Sequence, residues 1–265
     1  MPCLLILAAT LAAASPEPVI LGRLERPALA VAHVGSDRAL VLEEDRLTLW
    51  RVSGSGMTLE ATLMTQTPVE RVRHPGGLIQ APEGEGAAWV HRSGWTQAIL
   101  VSSDNGTLTR DSAADVLPWP GAPSGVRFRV GTSLIEARLD GVADGPYVAL
   151  SPDGRAATDA EGRLLLARPE PASPSTATVA VGSALAHPWP DVLVASSAAA
   201  DAPDALLVVR IGGPPRVLSR VPLNGRIQAL AVRREGGIGI VLAAIEDAQG
   251  HALVRVDIRR PGPTP

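Results

Sequence analysis

Lysine is absent from the 265 residues: all 24 basic side chains are arginine. That bias, together with abundant Ala, Gly and Pro, is what GC-rich coding imposes, so it does not by itself select for guanidinium chemistry. Aromatics are scarce as well, with one Tyr (Tyr147), one Phe (Phe128) and five tryptophans, which leaves the core to Val, Leu, Ile and Ala. Such aliphatic, β-branched filling suits sheets packed face to face. Cysteine occurs once, at Cys3, ahead of an apolar run; if that run is removed no thiol remains. Disulfides, a cysteine-based zinc site, iron–sulfur ligation and a cysteine nucleophile are then excluded. A large excess of either charge is missing too: 24 basic against 27 acidic residues give a net charge of -3. Little surface is available to neutralise phosphates, so no nucleic-acid partner is expected. After the first residues, no long apolar segment follows and no window shows sustained 3.6-residue periodicity, which argues against a membrane-spanning mature chain and against helices.

What is present begins with an address. Leu4 to Ala14 is a short apolar run followed by Ser15-Pro16-Glu17-Pro18. It is too short for the roughly twenty residues that cross a bilayer, but it matches a secretory signal with small residues before the cleavage point. Residues 1–15 are therefore read as a signal peptide, 16–260 as a single domain and 261–265 as a Pro-rich tail. The expected destination is periplasmic or extracellular. Met1-Pro2-Cys3 carries no basic residue, so the usual positive flank is missing.

The remaining chain reads as short strands bounded by Gly, Pro, Asp, Asn and Ser. Examples are Ala28–Val34, Ala39–Leu42, Leu47–Val52, Leu59–Leu63, Leu206–Ile211, Ile227–Val232, Ile238–Ala244 and Leu253–Ile258. Ser196–Ala205 is the best helical stretch, but Pro203 interrupts it and it is read as a loop. Four segments, 28–52, 147–168, 182–211 and 226–258, share one grammar of strand, turn, strand and closing strand. Three of them close on related runs, LTLWR, LLLAR and LLVVR. P-W-P recurs at Pro118-Trp119-Pro120 and Pro188-Trp189-Pro190. Spacings near ~40 residues are those of propeller blades. The expectation is an all-β propeller of about six four-stranded blades. The last blade, 226–258, supplies three strands and Pro18–Leu24 has no local partner. Pairing the two would close the ring and remove two exposed edges.

This repeat pattern resembles the FG-GAP/VCBS-type propeller repeats of bacterial secreted proteins and integrin α chains. In that family the first turn of each blade usually reads D-x-D-x-D-G and binds calcium. The corresponding turns here, Val34–Asp37, Pro190-Asp191 and Arg233–Gly237, each hold at most one carboxylate. Calcium takes roughly six to eight oxygens. The resemblance therefore implies the fold, in degenerate form, with the calcium role lost. Ser151-Pro152-Asp153-Gly154-Arg155 resembles the turn of WD-repeat and TolB-like propellers.

Chemistry-bearing motifs are few. The five histidines, His33, His74, His91, His187 and His251, show no metal-ligand spacing, so no metal and no cofactor is expected. There is no G-x-S-x-G elbow, no S-x-x-K and no P-loop. Glu43-Glu44-Asp45 and the pair Glu83 and Glu85 read as solvated turns. Candidate binding residues are Trp119 and Trp189, rigid between prolines; His33 and His187, at matching repeat positions; and Arg233 and Arg234, within the turn Arg233–Gly237. For both tryptophans the competing reading is a cap on the apolar layer between blades. These features suggest a monomeric, non-enzymatic module binding a protein or glycan. The alternative is a hydrolase or lactonase with its site in the central channel.

Overall fold

The computed structural model describes residues 16–65, 77–80, 86–92, 95, 97–118, 126–130, 133–136, 147–150, 156–159, 163–166, 175–180, 185–197, 203–211 and 214–262. Within them every regular element is a β-strand. The first strand, β1 (Val19–Leu24), precedes β2 (Ala30–Val34), β3 (Arg38–Leu42), β4 (Arg46–Val52) and β5 (Met57–Met64). Next come β6 (Gly77–Gln80), β7 (Ala87–Arg92), β8 (Gln97–Ser102), β9 (Thr109–Pro118), β10 (Val126–Val130) and β11 (Ser133–Glu136). Then follow β12 (Tyr147–Leu150), β13 (Ala156–Asp159), β14 (Arg163–Leu166) and β15 (Ser175–Ala180). The chain continues with β16 (Leu185–Trp189), β17 (Val192–Ser196), β18 (Ala205–Arg210) and β19 (Arg216–Pro222). It closes with β20 (Arg226–Glu235), β21 (Ile238–Asp247) and β22 (Gly250–Arg259).

Neighbouring strands pair antiparallel in chain order, giving four-stranded sheets β2–β5, β12–β15 and β16–β19 and a six-stranded run β6–β11. In that run β9 changes partner along its length: Thr109 to Asp115 pair with β8, and Val116 to Pro118 pair with β10. The fourth four-stranded sheet has the order β1-β22-β21-β20. Its first strand therefore comes from the other end of the described chain, with Val19 opposite Arg255 and Ile20 opposite Val254. Two short bonds from Arg23 to Asp247, at 2.7 and 2.8 Å, pin that register from the side.

Three apolar layers join these sheets. One unites Val192, Val194, Leu206 and Val208 with Val241, Ala243, Val254 and Val256. A second unites Leu21, Leu24, Leu242, Ala244 and Leu253 with Val31, Ala39 and Val41. The third unites Leu40, Leu42, Leu47 and Leu49 with Ile79, Val90, Ile99 and Val101. Alternation explains this: β21 sends Val241, Ala243 and Ile245 to one neighbour and Leu242 and Ala244 to the other, because successive strand side chains point to opposite faces. The sheets β16–β19, β20–β22 with β1, β2–β5 and β6–β9 thus stack in succession, and their first strands β16, β20, β2 and β6 meet at the junctions.

Several local expectations are corrected. Arg233, Arg234 and Glu235 are not turn residues; they extend β20, and only Gly236-Gly237 connects to β21. Gly236 takes φ 58°, the left-handed conformation a two-residue hairpin needs, so charged residues can continue the ladder up to it. Glu43 is not a solvated tip, since it is 0% exposed. β9 occupies a stretch where no strand was expected, because Asp111, Ser112 and Asp115 mask its alternation. Glu83 and Glu85, the turn 151–155, and the segment proposed as a signal peptide lie outside the described residues.

Candidate functional site

The junctions converge at the hairpin ends of the first strands, where β2, β20 and β16 turn into their partners. His33 lies one pair before the end of β2, opposite Ala39. Its Nε2 sits 3.0 Å from the Ile240 carbonyl of β21, so this histidine bridges two sheets. A carbonyl only accepts, which places the imidazole proton on Nε2. The His33 pKa is lowered to about 4, chiefly by burial and then by the Arg233 charge; the Ile240 bond opposes this, and Arg255 adds a smaller lowering. The ring is neutral at physiological pH.

Arg233 stands opposite Ile240 across the β20–β21 ladder, which explains its closeness to His33. It is partly buried, and its Nη1 lies 3.3 Å from the exposed Glu235 carboxylate. Arg234 points to the other face, opposite Gly239, and is exposed. His187 is on β16, where three residues from Ala186 to Trp189 span two steps of β17. This bulge at Pro188 re-aims the side chain, and proline is tolerated there because no ladder donor is needed. Arg233, Arg234, His33 and His187 are therefore carried on three successive first strands at the same end.

The tryptophans divide differently. Trp189 is 4% exposed and belongs to the layer between β16–β19 and β20–β22. A Cβ built on Gly239 would stand 3.2 Å from Trp189 Cη2 and 3.1 Å from Pro188 Cβ, so the indole lies directly over that glycine. Of the two readings given to Trp189, the structure places it in the capping position. Trp119 lies outside the described residues.

Arg259 and Arg260 belong to the same end and were not singled out from sequence. The Arg260 N–H donates to the Gly237 carbonyl at 2.9 Å, carrying the ladder past β22, while its guanidinium lies 3.4 Å from Asp191. Arg210 donates to the Gly262 carbonyl at 2.6 Å, so the segment after β22 crosses from one sheet to the next. The signal available was the repeated Arg-Arg pair, Arg233-Arg234 and Arg259-Arg260, each closing a strand, β20 and β22.

The opposite end is built from buried carboxylates in structural roles. Asp204, 5% exposed, accepts from Ser197 Oγ at 3.1 Å and from Ile227 N–H at 2.9 Å, tying the β17–β18 turn to the start of β20. Glu43 pairs with Arg46 at 2.6 Å; burial raises its pKa and the Arg46 bond pulls it back. Arg92 on β7 donates to the Glu44 carbonyl, joining β6–β9 to the β3–β4 turn. Among the described residues no group of three His, Cys, Asp or Glu side chains is arranged to hold a metal ion, and no helix is long and apolar enough to cross a membrane.

No protein-family model and no curated protein sequence matches the chain. Solved structures do resemble it. A Thermus thermophilus protein assigned as an oxidoreductase (glucose dehydrogenase) aligns over 91% of this chain and 100% of its own, at 14% identity and a TM-score of 0.53. The WD40 β-propeller domain of Doa1 aligns over 92% and 97%, at 12% identity and a TM-score of 0.51. The WD40 domain of Toxoplasma gondii coronin aligns over 94% and 85%, at 9% identity and a TM-score of 0.50. At such identities the likeness concerns architecture alone. The chain has an all-β fold of the β-propeller type.

Proposed function

We propose that this chain is an exported, non-enzymatic binding propeller that engages a protein or glycan partner at the hairpin end of its first strands. On this reading it is a periplasmic or extracellular monomer of about six blades, with β1 completing the last blade and closing the ring. Its repeats descend from FG-GAP/VCBS-type blades whose calcium turns have been lost. One observation carries the reading: His33, Arg233, Arg234 and His187 come from three successive first strands to one end, beside the exposed Gly236-Gly237 turn. Binding residues set on a rigid scaffold's loops and strand ends are the usual use of such folds.

The test is affinity capture from the native host's periplasmic and culture fractions with the wild-type chain and with Arg233→Ala/Arg234→Ala. A partner retained by the first and lost by the second supports the reading. A wild-type chain that hydrolyses lactone or glycoside substrates, with activity lost in the same variant, overturns it in favour of a channel enzyme.

A further inference from the structure

Arginine–carboxylate pairs among the described residues range from short contacts to loose ones, a loose one at the far end being Arg92–Glu44 at 3.5 Å. Arg23 grips Asp247 with bonds of 2.7 and 2.8 Å, and Arg255 grips Asp257 with bonds of 2.7 and 2.9 Å. The Arg255 pair is the guanidinium fork, through Nε and Nη2, whereas both Arg23 bonds come from Nη1. At the Gly236-Gly237 tip the pairs are loose. Arg233 reaches Glu235 by one 3.3 Å contact and Arg260 reaches Asp191 by one 3.4 Å contact. Four arginines, Arg233, Arg234, Arg259 and Arg260, are gathered there by the β20–β21–β22 register. Glu235, Ile238 and Arg259 stand opposite one another across the three strands, and Ile238 is 40% exposed. The tip therefore presents a cluster of guanidinium groups, those of Arg233 and Arg260 loosely held, around one exposed aliphatic side chain.

We infer that this tip docks an acidic protein segment, a partner strand or loop rich in Asp and Glu with an aliphatic residue among them. The inference rests on the binding reading of this end and names the partner's chemistry. Planar guanidinium forks match carboxylates, and a partner carboxylate can displace the loose 3.3 and 3.4 Å contacts at little cost. Ile238 supplies the apolar contact beside Arg259. A sugar chain fits less well, because the neighbouring indole of Trp189 is buried at 4% and offers no stacking face.

The experiment measures fluorescence anisotropy of a short labelled peptide of alternating Glu and Leu, its Gln-for-Glu counterpart, and labelled polygalacturonate. The Glu peptide binds, weakens steeply with added salt, and loses about tenfold in affinity in Arg259→Gln/Arg260→Gln, the sum of two exposed ion pairs. The same charge removed from the far end, in Arg220→Gln/Arg226→Gln, leaves binding unchanged. Equal binding of the Gln peptide, polygalacturonate binding without peptide binding, or equal loss in both double variants overturns the inference. Unchanged thermal midpoints establish that both variants are folded. A host partner captured equally by wild type and Arg259→Gln/Arg260→Gln leaves the binding reading standing and removes this one. Peptide binding of the expected kind, with no host partner captured, does the reverse.

Discussion

Asp204→Ala probes how the sheets are stapled together. The carboxylate takes two bonds, from Ser197 Oγ at 3.1 Å and from Ile227 N–H at 2.9 Å, and Ser197 Oγ in turn accepts from Ala205 N–H at 3.0 Å. Truncation leaves the Ile227 N–H buried without an acceptor, since the residue is 3% exposed. It also frees the Ser197 hydroxyl. The Asp204 main chain keeps its own bonds to Gly225 and Leu223, at 2.8 and 2.9 Å, so the turn itself survives. Hydrogen bonds to a charged group contribute about 1.5–3 kcal/mol each, and an orphaned buried donor costs about 1–3 kcal/mol. The expected loss is about 3 kcal/mol, a large fraction of a domain's ~5–15 kcal/mol. Asp204→Asn keeps one acceptor for Ile227 and loses about 1 kcal/mol. Urea unfolding with unchanged slope reads both values, and amide exchange at Ile227 accelerates in the Ala variant alone. A loss below about 0.5 kcal/mol for Asp204→Ala refutes the staple.

Other consequences follow from single contacts. His33 and His91 both have pKa values lowered from 6.5 to about 4, chiefly by burial. The unfolded chain binds their protons first, so stability falls as pH drops from about 6.5 towards 4, by up to about 3 kcal/mol per histidine. His33→Gln flattens part of that slope in pH-dependent urea titrations. Gly225→Ala places a Cβ 2.5 Å from the Glu246 carbonyl oxygen, and the thermal midpoint falls clearly. Gly239→Val forces the Trp189 indole aside and costs about 1–3 kcal/mol, read by urea unfolding and by a shift in tryptophan emission. Calcium leaves the thermal midpoint unmoved, because the hairpins at Gly35–Asp37, Pro190-Asp191 and Gly236-Gly237 offer at most one carboxylate each.

Strands were legible wherever apolar alternation met a turn residue. Leu47–Val52 became Arg46–Val52, and Leu253–Ile258 became Gly250–Arg259. Ends were misjudged where charged residues prolong a ladder, as at Arg233–Glu235 and in β9, since polarity marks exposure and not the end of pairing. The matching positions of His33 and His187 did lead to one end of the molecule. Burial of Glu43 and Asp204 was not legible, because it depends on Arg46, Ser197 and Ile227 N–H meeting them across turns. Nor was the loose engagement of Arg260, which depends on where Asp191 of another sheet comes to rest.

The central claim is that the first strand completes the last sheet, and a disulfide tests it most directly. Val19→Cys and Arg255→Cys, in a chain with Cys3→Ser, place thiols on Cα partners facing one another across β1 and β22. Under mild oxidation the account predicts spontaneous bridging in the folded monomer, with fragments of a chain nicked between β5 and β6 staying covalently joined until reduced. Two thiols that stay free and fully reactive in the folded protein would contradict it.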